Sequence, residues 1–271
     1  MSTTRSDFLA LFRAILWRLW IEQRRSILLF PLVMAILFGT VLAATRFTPG
    51  LLTGPTLHAL QASSAARPDA GLAGAAALPR AFIEHQAVYL LALLAGLSAA
   101  SVATRAIGAE ADRGSLEILL ATRHGITSIG GAILLAAYAL ASMGWVVLVV
   151  LSSGLVALCD AWLHLQSTMS AANIGAAIAM QLVLTLLAAE VAMIVTLLFP
   201  GLARARTGVT ADPTALLATL PSLAAFVAAN LVPGLSVLRL SLAALASGAV
   251  LLVAGTASLR LWFRPERFLE S

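Results

Sequence analysis

The chain reads as an all-α polytopic membrane protein with six transmembrane helices, an N-terminal interfacial helix and one short amphipathic helix between crossings 2 and 3. Three observations predict this. The composition is 61% hydrophobic and only 11% charged, with a mean hydropathy of +0.98, far from that of a soluble domain. The apolar residues form repeated uncharged runs of about 20, the length that crosses a hydrocarbon core of roughly 30 Å. A transmembrane barrel would instead show alternating segments of about ten residues. Finally, the arginines sort to one side of the membrane once the runs are threaded through it.

Residues 1–25 carry Phe8, Leu11, Phe12, Ile15, Leu16 and Leu19 at helical spacing, with Arg13 and Trp17 on the other side and Arg18 and Glu22 placed as an i,i+4 pair. The pattern predicts an amphipathic helix along the cytoplasmic leaflet before the chain turns into the membrane, with Trp17 and Trp20 suited to the interface. Charges interrupt this run, so it is not a cleavable signal peptide.

The first crossing is expected at 26–45, with Pro31 inside it. An extracytoplasmic segment, 46–84, follows; it is rich in Ala, Gly and Pro and has room for a short helix from Pro55. A modest lid and plain disorder are both compatible with it. The second crossing is expected at 86–104 and the third at 127–159, longer than a bilayer requires and therefore tilted or protruding. The fourth is placed at 172–199, the fifth at 213–232 with Pro221 inside, and the sixth at 240–263. His58 and His85 lack metal-ligand spacing.

Between crossings 2 and 3 lies a charged island, 105–126, containing Glu110, Asp112, Arg113 and Glu117. Gly114 ends the preceding helix, Ser115 is a suitable N-cap, and Glu117 falls in the first turn, where a carboxylate favours the positive helix end. Leu116, Leu119 and Leu120 then share one face. Such a helix is built to be gripped by a partner; a solvated loop would carry the same spacing.

The run EADRGSLEILLAT, residues 110–122, resembles the cytoplasmic signature of type-2 ABC-transporter permeases, in which an acidic residue precedes G-[ST]-L-E-x-L-L-A-T. Arg123 stands where that family often has Pro, and Gly130 and Gly131 open the next crossing without the family's frequent lysine. The run from Phe263 to Phe268 resembles the family's usual C-terminal ending. The resemblance implies that Glu110, Asp112, Arg113, Gly114, Ser115, Leu116, Glu117, Leu119, Leu120 and Thr122 form a coupling helix docked into an ABC ATPase subunit. It further implies two ATPase copies, a second permease copy as homodimer or related heterodimer, and ATP and Mg bound in the ATPase with no cofactor in this chain. The implied setting is the bacterial cytoplasmic membrane and the implied direction is export; the small outer loop and the apolar crossings favour a hydrophobic or amphipathic cargo such as a drug, lipid or peptide.

Charge and chemistry point the same way. All 17 basic residues are arginine, so no Walker A, Schiff-base or kinase-type lysine can exist here. The net charge of +5 and pI near 10.9 fit arginines set beside anionic lipid, not nucleic acid. With both termini cytoplasmic, thirteen arginines fall inside and four (Arg46, Arg67, Arg80 and Arg239) outside. Cys159 is alone, which excludes an internal disulfide. No HExxH, GxSxG or paired-aspartate constellation is present, so the chain is not expected to be an enzyme.

Glu190 is the one acidic residue well inside an expected crossing, about nine residues or roughly 14 Å from its cytoplasmic end. Ionised and unpaired, it would cost on the order of 2.5–3.5 kcal/mol even on a lenient insertion scale, so it must be protonated, paired or facing water. Gln181, Thr185, Ala188, Ala192 and Thr196 share one small, polar face of this helix, and Glu190 points the other way. The phase predicts two faces turned from lipid, one packed within the protomer and one against a second protomer or a cargo path. A functional role for Glu190 and a structural hydrogen bond both remain open at this point. Gly130, Gly131 and Ala136, and Gly248 and Gly255, mark close helix packing.

Overall fold

A computed structural model describes residues 5–47, 77–112, 126–163, 171–198, 213–231 and 237–262. These residues are all-helical, and five of their helices are long and apolar enough to cross a membrane. In chain order they form α1 (Arg5–Phe47), α2 (Ala77–Ala81) with a π-helical turn (Phe82–Gln86), α3 (Ala87–Asp112), α4 (Ile126–Leu163), α5 (Ala171–Leu198), α6 (Pro213–Ala218), α7 (Leu220–Leu231) and α8 (Val237–Trp262).

The first departure from expectation is α1. No glycine or proline lies between Arg18 and Phe30, so nothing interrupts the helix where the chain was expected to turn into the membrane, and one helix of 43 residues results. At 1.5 Å per residue it is about 65 Å long, roughly twice a hydrocarbon core. The apolar face read from the sequence is correct, but its counterpart is protein. Ile15, Leu19 and Ile27 are buried against Val102 and Ala106 of α3 and Ile129, Ala132 and Ile133 of α4, while Trp17 is 66% exposed. The Arg18–Glu22 pair forms, at 3.3 Å.

Cross-contacts fix the helix directions. Arg105 Nη1 donates to Ser26 Oγ at 2.6 Å and the Phe38 and Phe82 rings lie 5.9 Å apart, so α3 runs antiparallel to α1. Gly131 faces Phe8, Gly144 faces Ile27 and Pro31, and Gly39 faces Leu155, which makes α4 parallel to α1. Gln181 Nε2 donates to Val88 O at 3.2 Å and Gly96 abuts Ala188, so α5 runs parallel to α3. Gly248 meets Val183 and Gly255 meets Glu190, so α8 runs parallel to α5. In the α6–α7 unit, Thr219 and Ser222 pack on Gly96 and Asn230 bonds Gln86, antiparallel to α3.

One end of the bundle therefore collects the start of α1, the end of α3, the start of α4 and the ends of α5 and α8. Of the arginines whose side chains are described, Arg13, Arg18, Arg24, Arg25 and Arg105 belong to this end, and Arg46, Arg80 and Arg239 to the other.

The core is built for close approach. Ala99, Ala100 and Ala103 of α3, Ala137 and Ala141 of α4, Ala189 and Ala192 of α5, and Ala215 and Ala218 of α6 form one buried cluster. Small side chains let backbones meet where apolar burial alone provides no drive in lipid. This seats α3 as the central helix, its apolar stretch the most buried of the five.

The segment expected as one crossing at 213–232 is divided. Pro221 has no N–H to give the carbonyl of Leu217, and the helix breaks at Thr219. The Thr219 N–H is shared between the carbonyls of Ala215 and Leu216 at 3.1 and 3.2 Å, and its hydroxyl donates to Leu216 O at 3.0 Å. Leu223 N–H resumes the ladder on Thr219 O at 2.9 Å.

Candidate functional site

Two groups of residues were singled out by sequence. Of the first, Glu110 and Asp112 lie in the last turns of α3. Arg113, Gly114, Ser115, Leu116, Glu117, Leu119, Leu120 and Thr122 lie outside the described residues. The helices that this run joins are described: the last turns of α3 and the first of α4 meet beside the N-terminal half of α1, in one apolar cluster. Arg105, exposed at this end of α3, is fastened to α1 through Ser26.

The second group sits on α5, and its two faces have different fates. Gln181 turns to α3, its amide donating across to Val88 O. Thr185 and Thr196 satisfy their hydroxyls within the helix, donating to Gln181 O and Ala192 O at 2.7 Å each. This stripe is a packing face against α3, where Ala188 comes up to Gly96.

Glu190 does point the other way, but what meets it is this same chain, not a second protomer or an open path. The side chain is 0% exposed, and among the described residues no basic side chain pairs with it. Tyr138 of α4 faces it, and the Tyr138 hydroxyl is likewise buried. From α8, Gly255 closes on it: a Cβ there would stand 2.9 Å from Glu190 Cδ and 3.0 Å from each oxygen. Three buried oxygens, two of a carboxyl and one of a phenol, thus face one another at a junction of α4, α5 and α8. Sequence phase identified Glu190; its neighbours come from distant helices and left no local signal.

Sequence reading missed a polar layer at the other end of the bundle. The π-helical turn holds Glu84, whose carboxylate is paired with Arg80 Nε at 3.1 Å with both side chains largely buried. Next to it Gln86 Nε2 donates to Asn230 Oδ1 at 3.0 Å, and Asn230 Nδ2 donates to Phe226 O at 2.8 Å. The i,i+4 spacing of Arg80 and Glu84 was the available signal. It was hidden by assigning both residues to the loop. Among the described residues no cluster of three or more His, Cys, Asp or Glu side chains could hold a metal.

In comparison with known proteins, no family model, no curated protein and no solved structure matches this chain.

Proposed function

We propose that this chain is the membrane-spanning subunit of an ATP-driven exporter of the type-2 ABC class, moving a hydrophobic or amphipathic cargo across the bacterial cytoplasmic membrane. The observation that carries the reading is the run at 110–122, an acidic residue followed by GSLEILLAT, set between two long apolar helices at the arginine-rich end. A chain without lysine cannot supply a Walker A motif, so hydrolysis belongs to a separate ATPase that binds ATP and Mg. Two copies of this chain, or one and a relative, would enclose the cargo path above two ATPases.

The helix directions support six crossings with both termini cytoplasmic. Because α5 and α8 are parallel, the chain between them returns from one end of the bundle to the other. The α6–α7 unit, 213–231, provides about 28 Å of rise for that return, enough for one thin crossing.

Coupling then follows from packing. Closure of the ATPases pushes on residues 114–122, and the push enters α3 and α4 together. The N-terminal half of α1 is packed on the same two helix ends, so it moves with them as one body. Glu117→Arg should assemble with the ATPase yet abolish stimulated hydrolysis and export. Normal export by that variant would remove the coupling role.

One observation favours a second reading, an ion-coupled carrier without an ATPase: the fully buried Glu190, which among the described residues has no basic partner. Affinity purification of the intact chain from its native membrane separates the two. A P-loop ATPase recovered in stoichiometric amount supports the exporter, and its absence supports the carrier.

A further inference from the structure

Glu190 has no part in the coupling proposed above, yet its surroundings are restrictive. Among the described residues no basic side chain pairs with it. From α4 the titratable group facing it is Tyr138. From α8 it meets the backbone at Gly255, and the nearest described basic side chain of that helix, Arg239, lies at its opposite end. On α3, Tyr89 lies by Ser241 toward that same opposite end, and Arg105 is engaged by Ser26. The α6 segment contributes no titratable residue.

An ionised carboxylate enclosed this way has lost its water and gained no counter-charge, which apolar surroundings do not tolerate. The neutral acid is different. Its O–H can be given to the Tyr138 hydroxyl, and it brings no charge into the tight space under Gly255, where an added Cβ would stand 2.9 Å from Glu190 Cδ. The closed packing of α8 on α5 therefore favours the neutral acid.

We propose that Glu190 is an intramembrane proton-binding site, completed by the Tyr138 hydroxyl and closed by the Gly255 backbone, whose bound proton holds α8 against α5. When the carboxyl O–H bond breaks, the proton passes to water and the charge stays on the carboxylate. That charge then draws water between the two helices, and α8 leaves its seat. The site stands whether or not an ATPase drives the chain, so its failure and that of the exporter reading are told apart by separate experiments.

The test uses the full chain in liposomes. Infrared spectroscopy reads the protonated-carboxyl band, and paired spin labels at the exposed Ile178 of α5 and Val250 of α8, in a Cys159→Ser background, read the helix separation. At neutral pH the wild-type chain should show a carboxylic-acid band that Glu190→Gln abolishes. As alkali removes the band, the label separation should lengthen in the wild-type chain and stay short in Glu190→Gln. The proposal is overturned if the band survives in Glu190→Gln, if the band titrates without any change of separation, or if both chains open alike. Should Glu190→Gln not fold, Glu190→Asp keeps the acid: a displaced band supports the site, and an unmoved one rejects it.

Discussion

At the scale of single residues, the α5–α8 contact depends on two glycines that a sequence shows only as small. Gly255→Ala would place a methyl 2.9 Å from Glu190 Cδ, and overpacking of this kind costs about 1–3 kcal/mol. In a Glu190→Ala background the obstruction is gone, and the helix gains the roughly 1 kcal/mol by which alanine exceeds glycine. Gly255→Ala should therefore lower thermal stability in detergent on its own and become neutral or stabilising in the double variant. Equal loss in both backgrounds would mean that the two residues do not meet. Gly248→Ala should behave in the same way toward Val183, whose Cγ1 lies 2.9 Å from the added methyl. The sequence made the phase of Glu190 legible, because helical periodicity is a local property. It could not show that Tyr138 and Gly255 are the partners, because both come from helices far away in the chain.

At the scale of elements, α1 and the α6–α7 unit are where local reading and structure part. Amphipathicity placed the correct face of residues 5–25 inward, but a face that suits a lipid interface suits a protein groove equally well. Only the helix ends of α3 and α4 decide between them. The two placements differ in energy. Leu19 is 0% exposed against protein, so Leu19→Ala should cost about 2–5 kcal/mol, while Trp17→Ala, at an exposed site, should cost little. A helix lying on the leaflet would reverse that order, which thermal unfolding of the two variants in micelles will read. For α6–α7, Pro221 was visible as a break within an apolar run, but the tolerance of membrane helices for proline hides whether the helix bends or divides. Thr219 decides it, through a shared N–H and a hydroxyl bond to Leu216 O. At the other end of the unit, Gln86→Leu would strip Asn230 of its cross-helix donor. It should cost about 1–3 kcal/mol, in part because the Asn230 carbonyl is left in a half-buried site. An unchanged unfolding midpoint would show that this bond is not formed in the bilayer.

For the whole molecule, helix directions and charge distribution agree. The alternation of α1, α3, α4, α5, the α6–α7 unit and α8 comes from side-chain contacts. The sorting of arginines comes from where they fall between the apolar runs of the sequence, and it selects the same end of the bundle. The helical class and the five long apolar helices were legible because hydrophobic length is written directly in the chain. Parallel α5 and α8 were implied by counting crossings, but their register is set by glycines meeting Val183 and Glu190, which no local pattern encodes. The most direct test of the central idea, that motion from a nucleotide-hydrolysing partner enters at residues 114–122, is site-specific photocrosslinking from Leu119 in intact cells. A covalent product with a P-loop ATPase, lost in Glu117→Arg and out of reach of membrane-impermeant quencher added outside, is the expected result. A Leu119 probe that is quenched from outside, or that crosslinks no ATPase while the protein still transports, would contradict it.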